Sequence, residues 1–149
     1  MGQQKIEMSS LPRRAVPSRG FVCNRMGCCC WQTMMELLPT DIARLEKMGF
    51  KPRDFSYKDG NTVRLLNVEG HCFFLEPTSK KCRIYRNRPL GCRIYPVILL
   101  DDTKVIVDRL CPNYKTLSKR ARARKKFLLL KHFSCKPSRW NISHETELL

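Results

Sequence analysis

The chain has 149 residues, with 29 Lys or Arg against 13 Asp or Glu, a formal net charge of +16. That length builds one domain, and 42% hydrophobic residues suffice for a small core, but so much uncompensated positive charge repels itself and asks for a polyanionic partner. No apolar run in the first thirty residues is long enough for a secretion signal, and the longest apolar stretches, 97–100 and 127–130, are far too short to span a bilayer. A soluble, cytoplasmic protein is therefore expected.

In chain order, residues 1–20 are polar, carry Pro12 and Pro17 and lack apolar periodicity, which predicts a basic N-terminal arm. The first cysteine group follows in residues 21–31. Leu37, Ile42, Leu45 and Met48 then recur at helical spacing, with Pro39 and Thr40 as a start signal and Gly49 as a stop, so a short amphipathic helix is predicted. Asp59-Gly60-Asn61 marks a turn, and residues 62–68 and 72–75 have the β-branched and aromatic content of strands. Residues 97–100 and 105–107 flank Asp101-Asp102-Thr103-Lys104 as a hairpin, and residues 117–133 form a second helix candidate that is strongly basic. The expected fold is a small, irregular α+β single domain stapled by cysteine metal sites. It divides into an arm (1–20), a cysteine-cluster domain (21–112) and a basic C-terminal helix with its tail (113–149).

Eight of the nine cysteines fall within residues 23–111: Cys23, Cys28, Cys29 and Cys30 together, then Cys72, Cys82, Cys92 and Cys111 at wider intervals. Cys135 stands apart and suits plain packing. A contiguous triple, an odd total and no export signal argue against disulfides. Thiolates are soft donors, and both zinc and iron–sulfur clusters commonly take four of them, so four plus four cysteines predict one or two metal sites. Four thiolates leave excess negative charge, for which Lys80, Lys81, Arg83, Arg86, Arg88, Arg93 and Arg109 lie close in sequence. This balance holds for zinc and for the cluster alike.

Between positions 115 and 131 the cations Lys115, Lys119, Arg120, Arg122, Arg124, Lys125, Lys126 and Lys131 run without one acidic residue. A solvated helix face normally mixes both signs, so this run, with Arg13, Arg14 and Arg19 of the arm, points to phosphate contacts on RNA or a ribonucleoprotein such as the ribosome. An anionic lipid surface fits less well, because Leu128, Leu129, Leu130 and Phe133 cluster at one end as a docking edge. No catalytic constellation emerges: of His71, His132 and His144 only His71 adjoins a ligand candidate, and no Gly-rich phosphate loop is present.

Phe21-x-Cys23-x-x-Met26-Gly27-x-Cys29-Cys30, Cys72-x-Phe74-Leu75, Cys82-x-Ile84-Tyr85-x-x-Arg88-Pro89-x-x-Cys92-Arg93-x-Tyr95-Pro96 and the later Cys111 together resemble the YkgJ-type cysteine-cluster family. The resemblance implies a zinc- or iron-chelating domain, and some relatives are called iron–sulfur oxidoreductases or flagellin lysine N-methylases. It therefore keeps an iron–sulfur redox or methyl-transfer accessory role beside the RNA-binding one. Here Met26 stands at the family's second cysteine position, and Cys28 fills a position that normally varies. Either Cys28 takes over through a shifted loop or one site is incomplete. The pairs Ile84-Tyr85 and Ile94-Tyr95 are expected to wall the metal loops against water.

Overall fold

The computed structural model describes residues 20–100 and 104–133. The arm with Arg13, Arg14 and Arg19, the turn at Asp101-Asp102-Thr103, Cys135 and the tail lie outside the described residues.

The first helix forms where its start and stop signals place it. Pro39 opens α1 (Pro39–Lys47), and Asp41 Oδ2 accepts the Leu38 backbone N–H at 3.2 Å, so a carboxylate meets one of the donors a helix start leaves bare. Gly49, at φ +93°, ends the helix. Just before it, β1 (Glu36–Leu37) pairs antiparallel with β3 (Thr62–Leu65), which pairs in turn with β2 (Ser56–Asp59). The four-residue helix α2 (Pro52–Phe55) leads into β2 and buries Phe55.

The two strands predicted over 62–68 and 72–75 are broken into shorter pieces. Residues 62–65 are β3, whereas β4 (Asn67–Val68) turns away to pair with β5 (His71–Cys72). Glu69 and Gly70, both at positive φ (53° and 83°), make the tight two-residue reversal that joins β4 to β5. A second ribbon joins β6 (Leu75–Glu76) to β7 (Lys81–Cys82). In its loop the Glu76 carboxylate accepts the Thr78 and Ser79 N–H groups at 3.2 and 2.5 Å, and the Ser79 hydroxyl together with these bonds holds its carboxyl down at about 2.

A short helix, α3 (Leu90–Ile94), precedes the expected hairpin of β8 (Val97–Leu100) and β9 (Lys104–Val107), in register from Val97 opposite Val107 to Leu100 opposite Lys104. The basic helix α4 spans Lys119–Phe133. It starts two residues later than the periodicity suggests, because Ser118 Oγ accepts the Ala121 N–H and caps it.

Apolar residues gather in two clusters. Leu37, Leu45, Phe55, Leu65, Phe74, Leu75 and Ile84 form one beside the cysteines; Ile94, Val97, Leu99 and Leu129 form the other, between the hairpin and α4. Buried Asp41 ties α1 to the cysteine-bearing segment: its Oδ1 accepts Arg44 at 2.7 Å and the Leu90 N–H at 3.1 Å, and Arg44 also donates to the Arg88 carbonyl. The described residues form a small mixed α/β domain with four α-helices, one three-stranded sheet and three two-stranded sheets. Among the described residues no helix is long and apolar enough to cross a membrane.

Candidate metal centre

Three stretches of chain deliver cysteines to one place. The first is a loop that Gly27, at φ +69°, folds into the 3₁₀ turn Cys28–Cys30, with the Cys30 N–H on the Gly27 carbonyl. The second is the pair of ribbons, in which β5 carries Cys72 and β7 carries Cys82. The third is α3, with Cys92. Cys23, Cys29, Cys30, Cys72, Cys82 and Cys92 line a single cavity of about 50 Å³ with no carboxylate or imidazole in its wall.

The other predicted ligands are placed differently. Cys111 is buried next to this group and feels the charges of Cys23 and Cys29, but it does not line the cavity. Cys28 is exposed, and Met26, 58% exposed, turns its sulfur to the Asn24 amide. Neither therefore fills the missing second cysteine position. His71 is buried outside the wall, its Nδ1 against the Cys72 carbonyl and its ring edge-on to Trp31.

The thiols ring a common space rather than a common point: among the described residues no three His, Cys, Asp or Glu side chains converge tightly enough to hold an ion as they stand. Burial pushes Cys72 up to about 11 and raises Cys82, Cys92 and Cys111 as well. Cys29 and Cys30 act as a pair, in which Cys30 donates its S–H and is raised while Cys29 is lowered. A cation entering this space would meet mostly protonated sulfurs, and its charge would drive their protons off.

Arg88 supplies the opposing charge. It lines the cavity, and its charge opposes the rise that burial gives Cys82 and Cys92 and adds to the lowering that the Cys30 hydrogen bond gives Cys29. Its guanidinium lies 3.8 Å from the Tyr85 ring centroid, and that of Arg25 lies 4.2 Å from the same ring. No carboxylate pairs with either arginine among the described residues. Arg88 Nε is buried without a hydrogen-bond partner, a donor unmet beside a space lined by sulfur. The soft donor set and this orphaned N–H both fit a thiolate-ligated centre.

Several expectations about the surroundings change. Ile84, Tyr85 and Tyr95 wall the cavity as expected, whereas Ile94 packs into the second apolar cluster. Lys80, Lys81, Arg83, Arg86 and Arg109 are exposed and away from the cavity wall. Arg25, Thr33 and Met35, which no spacing singles out, do line it. Lys125, counted among the cations of the basic run, is buried: its ammonium donates to the carbonyls of Arg93 and Tyr95 at 2.5 and 3.2 Å and sits 4.9 Å from the Phe21 ring. Lys115, Lys119, Arg120, Arg122, Arg124, Lys126 and Lys131 are exposed.

A family model describing a "putative zinc- or iron-chelating domain", CxxCxxCC, matches residues 22–122. The chain belongs to the CxxCxxCC family. Laid over residues 23–30, the spacing in the family's name falls on Cys23, Met26, Cys29 and Cys30, and the matched region runs from the first cysteine loop into α4. The chain is also similar to the uncharacterized protein MJ0661 of Methanocaldococcus jannaschii, 36% identical over 80 residues. That match covers 51% of this chain and 44% of the relative, so the chain spans less than half of the relative's length. No solved structure matches the chain.

Proposed function

We propose that the six cavity cysteines hold a thiolate-ligated metal centre that staples the domain, and that the exposed cations of α4 carry this CxxCxxCC domain onto RNA. The observation that supports the first part is the convergence of six thiols from three chain segments on one cavity with an unmet N–H donor. The site then takes zinc or an iron–sulfur cluster, supplying four or more sulfur ligands to a soft cation. Arg88 balances the negative charge of the thiolates, Tyr85 and Tyr95 keep water from the sulfurs, and Asp41 with Arg44 hold the Arg88–Leu90 backbone in place.

The second part rests on the seven exposed cations of residues 115–131, which no described carboxylate neutralises. Such a surface binds phosphates with a steep dependence on salt.

A second reading is an iron–sulfur redox or methyl-transfer accessory protein. The all-sulfur lining of the cavity admits it, since a cluster takes four thiolates as zinc does. Elemental analysis with an absorption spectrum, on protein purified without air, decides between the two. Near-stoichiometric zinc in a colourless protein supports the structural staple; iron with matching labile sulfide, bleached on reduction, supports the redox centre. Protein free of both metals after growth with each supplied overturns the proposal. RNA affinity that stays constant across a wide salt range overturns its second part.

A further inference from the structure

At 100° per residue, the buried side of α4 is centred on Ala121, Lys125 and Leu129, and Arg120, Arg124, Phe127 and Lys131 share one exposed strip about 130° around the helix from it. Phe127 is 63% exposed, the largest aromatic surface that this helix shows to solvent, and the Lys131 ammonium lies 5.9 Å from its ring centroid. An exposed phenylalanine in the middle of a basic face gains nothing from the core.

The phosphate-contact reading leaves it unexplained, because cations alone serve that purpose. What an aromatic plane between cations does is stack on a flat heterocycle whose phosphates the cations hold. A paired base hides its faces in the duplex stack and is out of reach; an unpaired one is not. The arrangement also disfavours a bilayer. A helix lying in the interface buries a broad apolar stripe, and here a single large apolar side chain stands fully outward, with Leu130 half-buried at its edge.

We infer that Phe127 is a stacking seat for an unpaired base of single-stranded RNA, with Arg120, Arg124 and Lys131 on the flanking phosphates. This rests on the RNA reading of α4 above and narrows it to single strands. The row from Arg120 to Lys131 spans roughly 16 Å of helix at 1.5 Å per residue, about five nucleotides at the 3.4 Å rise of a stacked strand.

The test uses the full metal-loaded chain and a fluorescein-labelled twelve-nucleotide oligouridylate, with a duplex of equal length, heparin, and phosphatidylserine vesicles as the other probes. Because Phe127 lies outside both cores, Phe127→Ala is expected to melt like the parent. It is expected to weaken oligouridylate binding about tenfold, to leave the salt slope and heparin binding unchanged, and to be rescued by Phe127→Tyr. Arg124→Ala is expected to lower the salt slope by about 0.7, one phosphate on a single strand. Unchanged oligouridylate affinity in Phe127→Ala overturns the stacking seat, and if Arg120→Ala and Arg124→Ala still weaken binding, the broader RNA reading stands. Preference for the duplex, or vesicle binding that Phe127→Ala abolishes while the oligouridylate is unaffected, also overturns it. No binding of the parent to any of the nucleic acids at low salt removes both readings together.

Discussion

Gly27 is the residue on which the first cysteine loop turns. It holds φ +69°, and a Cβ added there would stand 2.6 Å from the Lys80 carbonyl oxygen and 2.9 Å from Leu75 Cδ1. Both the left-handed backbone and the backbone neighbour resist a side chain, so Gly27→Ala is expected to cost about 2 kcal/mol or more. Its melting temperature should fall, and zinc or iron bound per chain with it, since Cys29 and Cys30 follow directly. Arg88 has a different effect. Its charge opposes the rise that burial gives Cys82 and Cys92 and helps hold Cys29 down, and metal must displace protons from these thiols. Arg88→Gln therefore raises them, moves half-loading to higher pH, and weakens zinc at neutral pH by roughly tenfold. A competition titration against a chromophoric chelator over a series of pH values reads both effects, and a half-loading pH that does not move would contradict the assignment.

At the scale of elements, α4 has two faces with opposite roles. Lys125 is fixed to the carbonyls that end α3, whereas its neighbour Lys126 is exposed. Lys125→Ala is expected to cost roughly 2–3 kcal/mol in chemical denaturation, because two carbonyls lose their donor inside the domain, and Lys126→Ala to stay within about 0.5 kcal/mol. Burial also holds the Lys125 ammonium down to about 8. An unfolded chain keeps that proton up to about pH 10.4, so between these values the unfolded state binds more protons and stability rises with pH. Lys125→Met should flatten the rise. The sequence shows these elements unevenly. The hairpin of β8 and β9 and the course of α1 are legible because their apolar residues repeat at one period with turn signals beside them. The break between β3 and β4 at Leu66 is not, since Thr62 to Val68 reads as one β-branched run and nothing local marks where the pairing partner changes from β2 to β5. Lys125 is equally hidden: in an unbroken run of cations nothing local marks the one whose partners lie some thirty residues away.

Over the whole molecule, the cysteine spacing made the site legible as a group but not as a shape. The second block, from Cys82 to Cys92, lies on the cavity as its pattern implies, whereas the outward turn of Met26 and Cys28 depends on Gly27 and on packing against the β6–β7 loop, contacts distant in sequence. Metal removal is the molecule-wide prediction. If the centre is part of the fold, stripping it with a chelator should lower the melting temperature by about 10 °C or more, as loss of a few kcal/mol does in a domain of this size. Cys92→Ser should melt low without a chelator, and equal melting curves for loaded and stripped protein would show that the cavity stands without its metal. The distance along the chain between the cavity's contributors gives the centre a topological meaning. Cys23 and Cys92 close a loop of about 70 residues, and a bond across such a loop removes on the order of 4 kcal/mol of chain entropy from the unfolded state. A metal on these sulfurs would do reversibly what a disulfide does covalently, so that, with the thiols reduced, the supply of the ion would decide whether the loop is closed.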